Sequence, residues 1–330
     1  MAVTAQAQPN IALIKYWGKR DTALNIPATS SLSLTLATLW TRTCITFDPS
    51  LRADSLRLND AEHPAALARA SACLDVLRQR AGTKDYAQVE THNNFPTGAG
   101  LASSASGFAA LVLAASSALK LQLDRRELSI LARRGSGSAA RSLFGGFATL
   151  VKGQRDDGLD AYAEPLLAAE QWPLHVVVAV TSTQAKSIGS TTGMERSRQT
   201  SPFYTAWVNG ADDDLDTARN AVLARDFSAL AAVSEFSCMK MHAVMLATQP
   251  ALLYWNGATV ECMHAIRRLR EREGLGVFFT VDAGPQVKAI CLPADAARVA
   301  AALANISGVS EVLSSPLGEG AKVIDGTDVV

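Results

Sequence analysis

An α+β fold, with strands and helices partly segregated along the chain, is what this sequence of 330 residues predicts. Three observations lead there. Short runs rich in Val, Ile, Phe and Thr fall at residues 43–47, 86–92, 146–151, 174–180, 277–281 and 287–292, and each has the length and composition of a strand. Longer runs at 65–80, 104–121, 125–134, 215–224, 227–246, 257–273 and 294–304 read as helices. Hydrophobic residues make up 48% of the chain and charged residues only 19%, so there is ample apolar side chain for a large core.

Two helix starts are marked chemically. Asp124, with Glu127 three residues on, forms a reciprocal capping box for the helix at 125. Asp226 precedes the helix at 227 and can accept hydrogen bonds from its first free amides. The stretch "GQRDDG" at 153–158 reads as a loop between strands, and "ERSRQTSP" at 195–202 as a separator of the two halves. A domain boundary is expected near residue 180, giving domains 1–180 and 181–330. There is no internal repeat.

The bulk properties exclude several partners. Lys plus Arg and Asp plus Glu both number 31, so the net charge is zero, which argues against nucleic acid and against an acidic membrane surface. The five cysteines are scattered and form no C-x-x-C pair, so neither a disulfide framework nor a zinc cluster is expected. Cys238/His242 and Cys262/His264 sit among apolar neighbours and read as core residues rather than metal ligands. The start "MAVTAQAQPNIALIKYWGK" has no basic segment followed by an apolar one, as a secretory signal has. The apolar run at 108–115, taken as the longest, is too short to span a bilayer. A soluble, cytoplasmic protein is expected.

Residues 93–115, "NNFPTGAGLASSASGFAALVLAA", pose the chemical question. Apolar residues recur at 105, 108, 109, 112, 115 and 119, while Leu111 and Leu113 fill other faces, so this helix is expected to be buried nearly all round. Its first amides then need partners away from bulk water. Small residues let a ligand approach, and free N–H groups with the helix dipole favour an anion. Ser103 and Ser104 add hydroxyls for phosphate oxygens or Mg²⁺. A tight turn capped by serine fits the same composition. A helix end stabilises an anion by only about 0.3–2 kcal/mol, so a polyphosphate would also require cations.

The chain has no G-x-x-x-x-G-K-[ST] loop and no G-x-S-x-G elbow. What stands at Pro96 to Ala105 is Pro-x-x-x-Gly-Leu-x-Ser-Ser-Ala, which resembles the phosphate loop of the GHMP kinase superfamily. Three more segments narrow the resemblance: "NIALIKYWGKRD" at 10–21, "RRGSGSAARSLFGG" at 133–146 and "FTVDAGPQ" at 279–286. With the loop they resemble the diphosphomevalonate decarboxylase family, in that family's order, over most of the chain. From about Arg196 to Leu275 only fragments match. The resemblance implies a GHMP-kinase-like two-domain fold: an N-terminal ribosomal-S5-like α/β domain, a C-terminal ferredoxin-like domain, and a site in the cleft between. It implies ATP as co-substrate with Mg²⁺, small-molecule substrates and a homodimer. The implied reaction phosphorylates the 3-hydroxyl of (R)-5-diphosphomevalonate; loss of phosphate and CO₂ then gives isopentenyl diphosphate, in the mevalonate pathway of isoprenoid biosynthesis.

Both substrates are polyanions, so the site needs cations and oriented donors. Lys15, Lys19, Arg141 and Lys186 lie within or beside the matched segments. Asp282 ends an apolar strand before the turn Ala283-Gly284-Pro285-Gln286; by its position alone it reads equally as a turn-forming aspartate or a base. The resemblance makes it the base facing the 3-hydroxyl, with Lys15 and Arg141 completing the catalytic set. An ionised Asp, with an ordinary pKa of about 3.9, is a weak base for an alcohol, so its proton transfer is expected late. Arg141 is expected to hold the substrate carboxylate with its planar fork.

The resemblance further implies substrate contacts from Tyr16, Trp17, Gly18 and Lys19, from Ser136, Gly137, Ser138, Ala139 and Ala140, and from Arg69, Ser190 and Thr191. For ATP it implies Pro96, Gly98, Gly100, Leu101, Ala102, Ser103, Ser104 and Lys186, with Ser104 as a Mg²⁺ contact. Gly98 replaces the family's usual Ala and Ala140 its usual Cys; neither change removes a reacting group. Two alternatives share the fold: a 5-phosphomevalonate decarboxylase, or a mevalonate 3-kinase-like enzyme that stops after phosphorylation. A silent metabolite sensor would have lost the base or the phosphate loop, and this sequence has kept both.

Overall fold

The computed structural model describes residues 2–95, 103–184 and 186–324. Its first sheet runs β16 (Lys322–Ile324), β1 (Val3–Ala7), β6 (Thr41–Asp48), β9 (Tyr86–Asn93), β7 (Ser55–Leu58) and β8 (Ala61–Glu62). Only β7 and β9 pair in parallel. Helix α2 (Ser103–Ala118) packs across β1 and β6, with α1 (Pro64–Ala81) and α3 (Arg125–Gly135) beside it. Burial of α2 on nearly every face matches its unbroken apolar sequence. The Asp124–Glu127 capping box opens α3 as expected.

A second, antiparallel sheet runs β11 (Ala163–Leu167), β10 (Phe147–Leu150), β5 (Ser31–Thr35) and β2 (Asn10–Ile14). The short ribbon β3 (Lys19–Asp21) and β4 (Ile26–Pro27) follows β2 in the chain. A 3₁₀ segment, Gly137–Leu143, joins α3 to β10.

The third sheet runs β13 (Val277–Val281), β14 (Val287–Cys291), β12 (His175–Val180) and β15 (Glu311–Pro316), all antiparallel. One crossover, from β12 to β13, carries α4 (Ser190–Thr200), α5 (Tyr204–Asn209), α6 (Ala211–Ala224), α7 (Phe227–Leu246) and α8 (Gly257–Glu273). The other, from β14 to β15, carries α9 (Ala296–Ala304). This strand order is the ferredoxin-like one that was expected. Strand β12, which a boundary at 180 would give to the first half, is hydrogen-bonded into the second half's sheet.

Alternation explains the apolar runs of this sheet. Val176, Val178, Phe278 and Ile290 face a core shared with Ile11, Leu32, Leu34 and Phe147 of the second sheet. Val177, Ala179, Val277, Phe279 and Ala289 face the opposite core under α8 and α9. A strand buried on both sides has no reason to alternate in polarity.

Two sequence expectations are corrected. The polar stretch 195–202 does not separate the halves: most of it is the end of α4, inside the second half. Its exposed face needs no apolar residues, which hid the helix. The longest apolar element is α7, which at 20 residues is long and apolar enough to cross a membrane. It is a core helix, packed on β13, β2 and α6. Asp226 caps it, and its Glu235 and Lys240 pair with Arg270 and Asp214.

Candidate active site

The two halves touch through charge. Lys15 follows β2, its amide donating to Ser237 Oγ of α7 at 3.1 Å. Its side chain is 1% exposed, and Nζ donates to Asp282 Oδ1 at 2.5 Å. Asp282 follows β13, where the Gly284 amide donates back to its carbonyl and tightens the turn. Its second oxygen, Oδ2, lies 3.2 Å from Nζ of Lys288, which is wholly buried on β14. Lys186 Nζ donates to the Ala283 carbonyl at 3.2 Å and to Ser190 Oγ at 2.8 Å. Of the Lys15–Asp282–Lys288 trio, only Asp282 reaches the surface, with 27% of its side chain exposed.

Burial would raise the Asp282 pKa, but Lys15 and Lys288 outweigh it and hold the carboxyl well below the usual carboxylate range. Burial lowers both Lys186 and Lys288, with Asp282 opposing the shift in each. One carboxylate among several cations leaves the pocket net positive, as two polyanionic guests require.

Arg141 on the 3₁₀ segment is buried beside this cluster. Its Nε donates to Asn10 Oδ1 at 3.2 Å and its Nη1 to Ser31 Oγ. Asn10 Nδ2 in turn donates to the Ser138 carbonyl at 3.0 Å and to Ser142 Oγ at 2.7 Å, so β2 and β5 hold the guanidinium from below. Burial pushes Arg141 down to about 10, with Tyr16 and Asp282 opposing, so it keeps its charge at neutral pH.

Next to Arg141 the "YWGK" and "GSGS" segments pack together. The Tyr16 hydroxyl occupies the space that a Cβ at Gly137 would need. Gly18 has φ +126° and faces the Tyr204 hydroxyl of α5, so no L side chain fits there. Both phenol hydroxyls are buried without a protein partner among the described residues. Burial raises the Tyr16 pKa, so it remains a neutral donor. Lys19 Nζ donates to Thr191 Oγ1 at 3.1 Å, and burial followed by the nearby Arg69 charge lowers its pKa.

The head of α2 adjoins the same segment. Ser104 Oγ lies 3.4 Å from Ser136 Oγ, which is 3.5 Å from Ser138 Oγ. Beside it runs a cavity of about 820 Å³, solvent space included, lined by Ser103, Ser104, Thr41, Thr91, Phe108 and Arg69 among others. The Arg69 guanidinium sits 5.1 Å over the Phe108 ring. Pro96, Gly98, Gly100, Leu101 and Ala102 lie outside the described residues.

Three of the expected substrate-contact residues have side chains turned into the protein. The Trp17 indole is buried and donates to Ser197 Oγ at 3.0 Å, while its carbonyl accepts from Trp207. Ala139 and Ala140 are fully buried, and the Ala139 amide is already used by the Ser136 carbonyl. Lys288, Asn10, Ser31 and Tyr204 join this cluster only through the tertiary structure. A signal existed for Lys288, a lone charge inside the apolar run at 287–292. Cys238 and His242 are core residues as expected: the Val281 amide donates to Cys238 Sγ at 3.2 Å, and His242 Nε2 lies 3.2 Å from the Val281 carbonyl. Both brace the strand that carries Asp282.

Comparison with known proteins fits this geometry. Residues 7–163 match the diphosphomevalonate decarboxylase-like N-terminal domain, and residues 176–322 the mevalonate 5-diphosphate decarboxylase C-terminal domain. The chain belongs to the diphosphomevalonate decarboxylase family. It is 40% identical over 304 residues to the diphosphomevalonate decarboxylase of Ganoderma lucidum, covering 86% of this chain and 76% of that one. The mevalonate diphosphate decarboxylase from Staphylococcus aureus superposes with a TM-score of 0.92 at 38% identity, over 98% of both chains. A structure of MDDEF in complex with MVAPP, AMPPCP and magnesium gives a TM-score of 0.90 at 36% identity, over 99% of both.

Proposed function

We propose that this protein converts (R)-5-diphosphomevalonate, ATP being consumed, to isopentenyl diphosphate, ADP, phosphate and CO₂. The observation that carries this reading is the Lys15–Asp282 ion pair that joins the halves, with Lys288 on the second oxygen. Asp282 receives the tertiary 3-hydroxyl on a lone pair left open to the cleft. Held so far down, it takes the proton late, as the new O–P bond forms. Arg141 holds the substrate carboxylate near Asp282. The C–O bond pair then leaves with phosphate, and the C–C bond pair closes the alkene as CO₂ departs. Tyr16, Lys19, Arg69 and Thr191 surround the position of the substrate diphosphate. The cavity beside α2 receives the nucleoside, and Ser103 and Ser104 with the loop at 96–102 receive its phosphates.

Mg²⁺ favours oxygen ligands and keeps several waters. Ser104 Oγ is exposed on the first turn of α2 and fits as one such ligand. Among the described residues no group of three or more His, Cys, Asp or Glu forms a metal cage, so phosphate oxygens would supply most of the ligands. The ion neutralises phosphate charge when bound.

Incubation with ATP, Mg²⁺ and 5-diphosphomevalonate tests the reading, which expects ADP, phosphate, CO₂ and isopentenyl diphosphate in equal amounts. ADP without CO₂ would make the enzyme a 3-kinase, and faster turnover of 5-phosphomevalonate would change the substrate.

The finer organisation belongs to this reading too. The domain boundary falls between β11 and β12 rather than near 180. All five cysteines are free, which suits a cytoplasmic enzyme. A homodimer uses the outer stripe of α7: Ala232, Phe236, Met239, Ala243 and Leu246 are exposed at helical spacing. Phe236→Glu is expected to halve the mass seen by sedimentation; an unchanged mass would remove this face.

A further inference from the structure

Burying a lysine costs several kcal/mol unless its charge is answered. Lys288 is 0% exposed and Lys15 1%, and both reach one carboxylate. Two ammonium groups on a single Asp are not a device for stability. The sheet register shows how the second one arrives. On β14 Lys288 lies opposite Thr280 of β13 and Val178 of β12. Alternation puts it on the face that meets the first half, where the Thr280 hydroxyl donates to the Ala12 carbonyl of β2 at 3.4 Å.

We propose that Lys288 is a positioning residue for the decarboxylation: its ammonium fixes Asp282 Oδ2 and so aims the carboxylate, with Lys15 on Oδ1, at the substrate hydroxyl. A carboxylate offers about four acceptor positions. The lysines take two and fix the plane of the group; the remaining ones face the cleft. Lys288 touches no substrate in this arrangement and acts through Asp282. It also sets how weak a base Asp282 is, since its charge opposes protonation.

Other charged and titratable groups face Asp282 from each neighbouring element. Lys15 comes from the end of β2, Lys186 from the segment before α4, and Arg141 from the 3₁₀ segment. From α7 come His242, driven down to about 3 by burial, and Cys238, raised by burial, so both are uncharged at neutral pH. Lys15 and Lys288 are the two cations in direct contact with the carboxylate.

The rate arm of the test rests on the reaction proposed above; the titration arm does not. Protein labelled with ¹³C at Asp carboxyls is titrated as wild type, Lys288→Met and Lys288→Arg, with Asp282→Asn to assign the signal. Asp282 is expected to stay ionised well below the ordinary carboxylate midpoint of about 3.9 in wild type. In Lys288→Met its midpoint is expected to rise by at least about one unit, while Lys288→Arg restores the wild-type curve. With substrate, Lys288→Met is expected to lower kcat about a hundredfold, the scale of a misplaced reacting group, with KM within about threefold, and Lys288→Arg to recover most of it. If Lys288→Met does not fold, Lys288→Gln replaces it, keeping a donor without charge. A lowered melting temperature with an unmoved Asp282 titration and unchanged kcat would overturn the proposal. Wild-type protein that turns over no 5-diphosphomevalonate would overturn the reaction reading and leave the titration to judge Lys288.

Discussion

The head of α2 and the β13–β14 hairpin are linked through Ser136, Ser138, Asn10 and Arg141 and are made of opposite materials. The α2 side offers hydroxyls, small residues and a cavity with an aromatic wall, with Arg69 its one charge among the cavity residues named above. The hairpin side packs Asp282 and Lys288 against Lys15, nearly all of it buried. A site of hydroxyls and amides binds by geometry and by many modest hydrogen bonds, each worth about 0.5–1.5 kcal/mol net. A buried charge cluster is costly to assemble and is worth its cost only where charge moves during reaction. Grip and chemistry are thus divided between the two sides.

That division is broken most severely by Asp282→Asn. Turnover is expected to fall about 10²–10⁴-fold, the range of a lost general base, while KM for both substrates changes little. Single-turnover measurement of CO₂ release checks it, and retained activity would take the base role from Asp282.

A second variant probes what supports the hairpin. His242 titrates near 3 in the fold because burial disfavours its charged form, against an ordinary value of 6.5. Between those values only the unfolded chain takes up the proton. Its contribution is therefore complete above about 6.5 and is lost as pH falls toward 3. Between pH 7 and pH 5 the loss is about 2 kcal/mol. His242→Gln, which binds no such proton, is expected to lose that much less over the same interval in urea unfolding. Parallel pH dependence in the two proteins would show that His242 is not the group responsible.

The mildest effect belongs to the α2 side. Ser104→Ala removes one hydroxyl from many donors, and KM for ATP–Mg²⁺ is expected to rise roughly tenfold, about the worth of one hydrogen bond to a charged group. KM for 5-diphosphomevalonate should not move. An effect on turnover as large as that of Asp282→Asn would erase the division between the two sides.

Contiguous features were legible in advance. The sequence 227–246 fixes α7 to the residue, and the D-x-x-E at 124–127 marks the start of α3. Polar elements were not. Helix α4 lacks an apolar stripe, and β5 carries serines inward: Ser31 holds Arg141, although nothing in "SLSLT" announces it. Asp282 and Lys15 could be named because each lies in a short motif. Lys288 lies six residues past the aspartate with no motif of its own.

Local order, then, came from the sequence by itself: amino-acid periodicity and capping act over a few residues and decide where helices and strands begin. The pairing of Lys15 with Asp282, the inward turn of Trp17 and the return of β16 to β1 came only with the tertiary structure. Each depends on contacts between segments far apart in the chain. Electrostatic and packing energies fall off with distance in space, and sequence separation does not enter them.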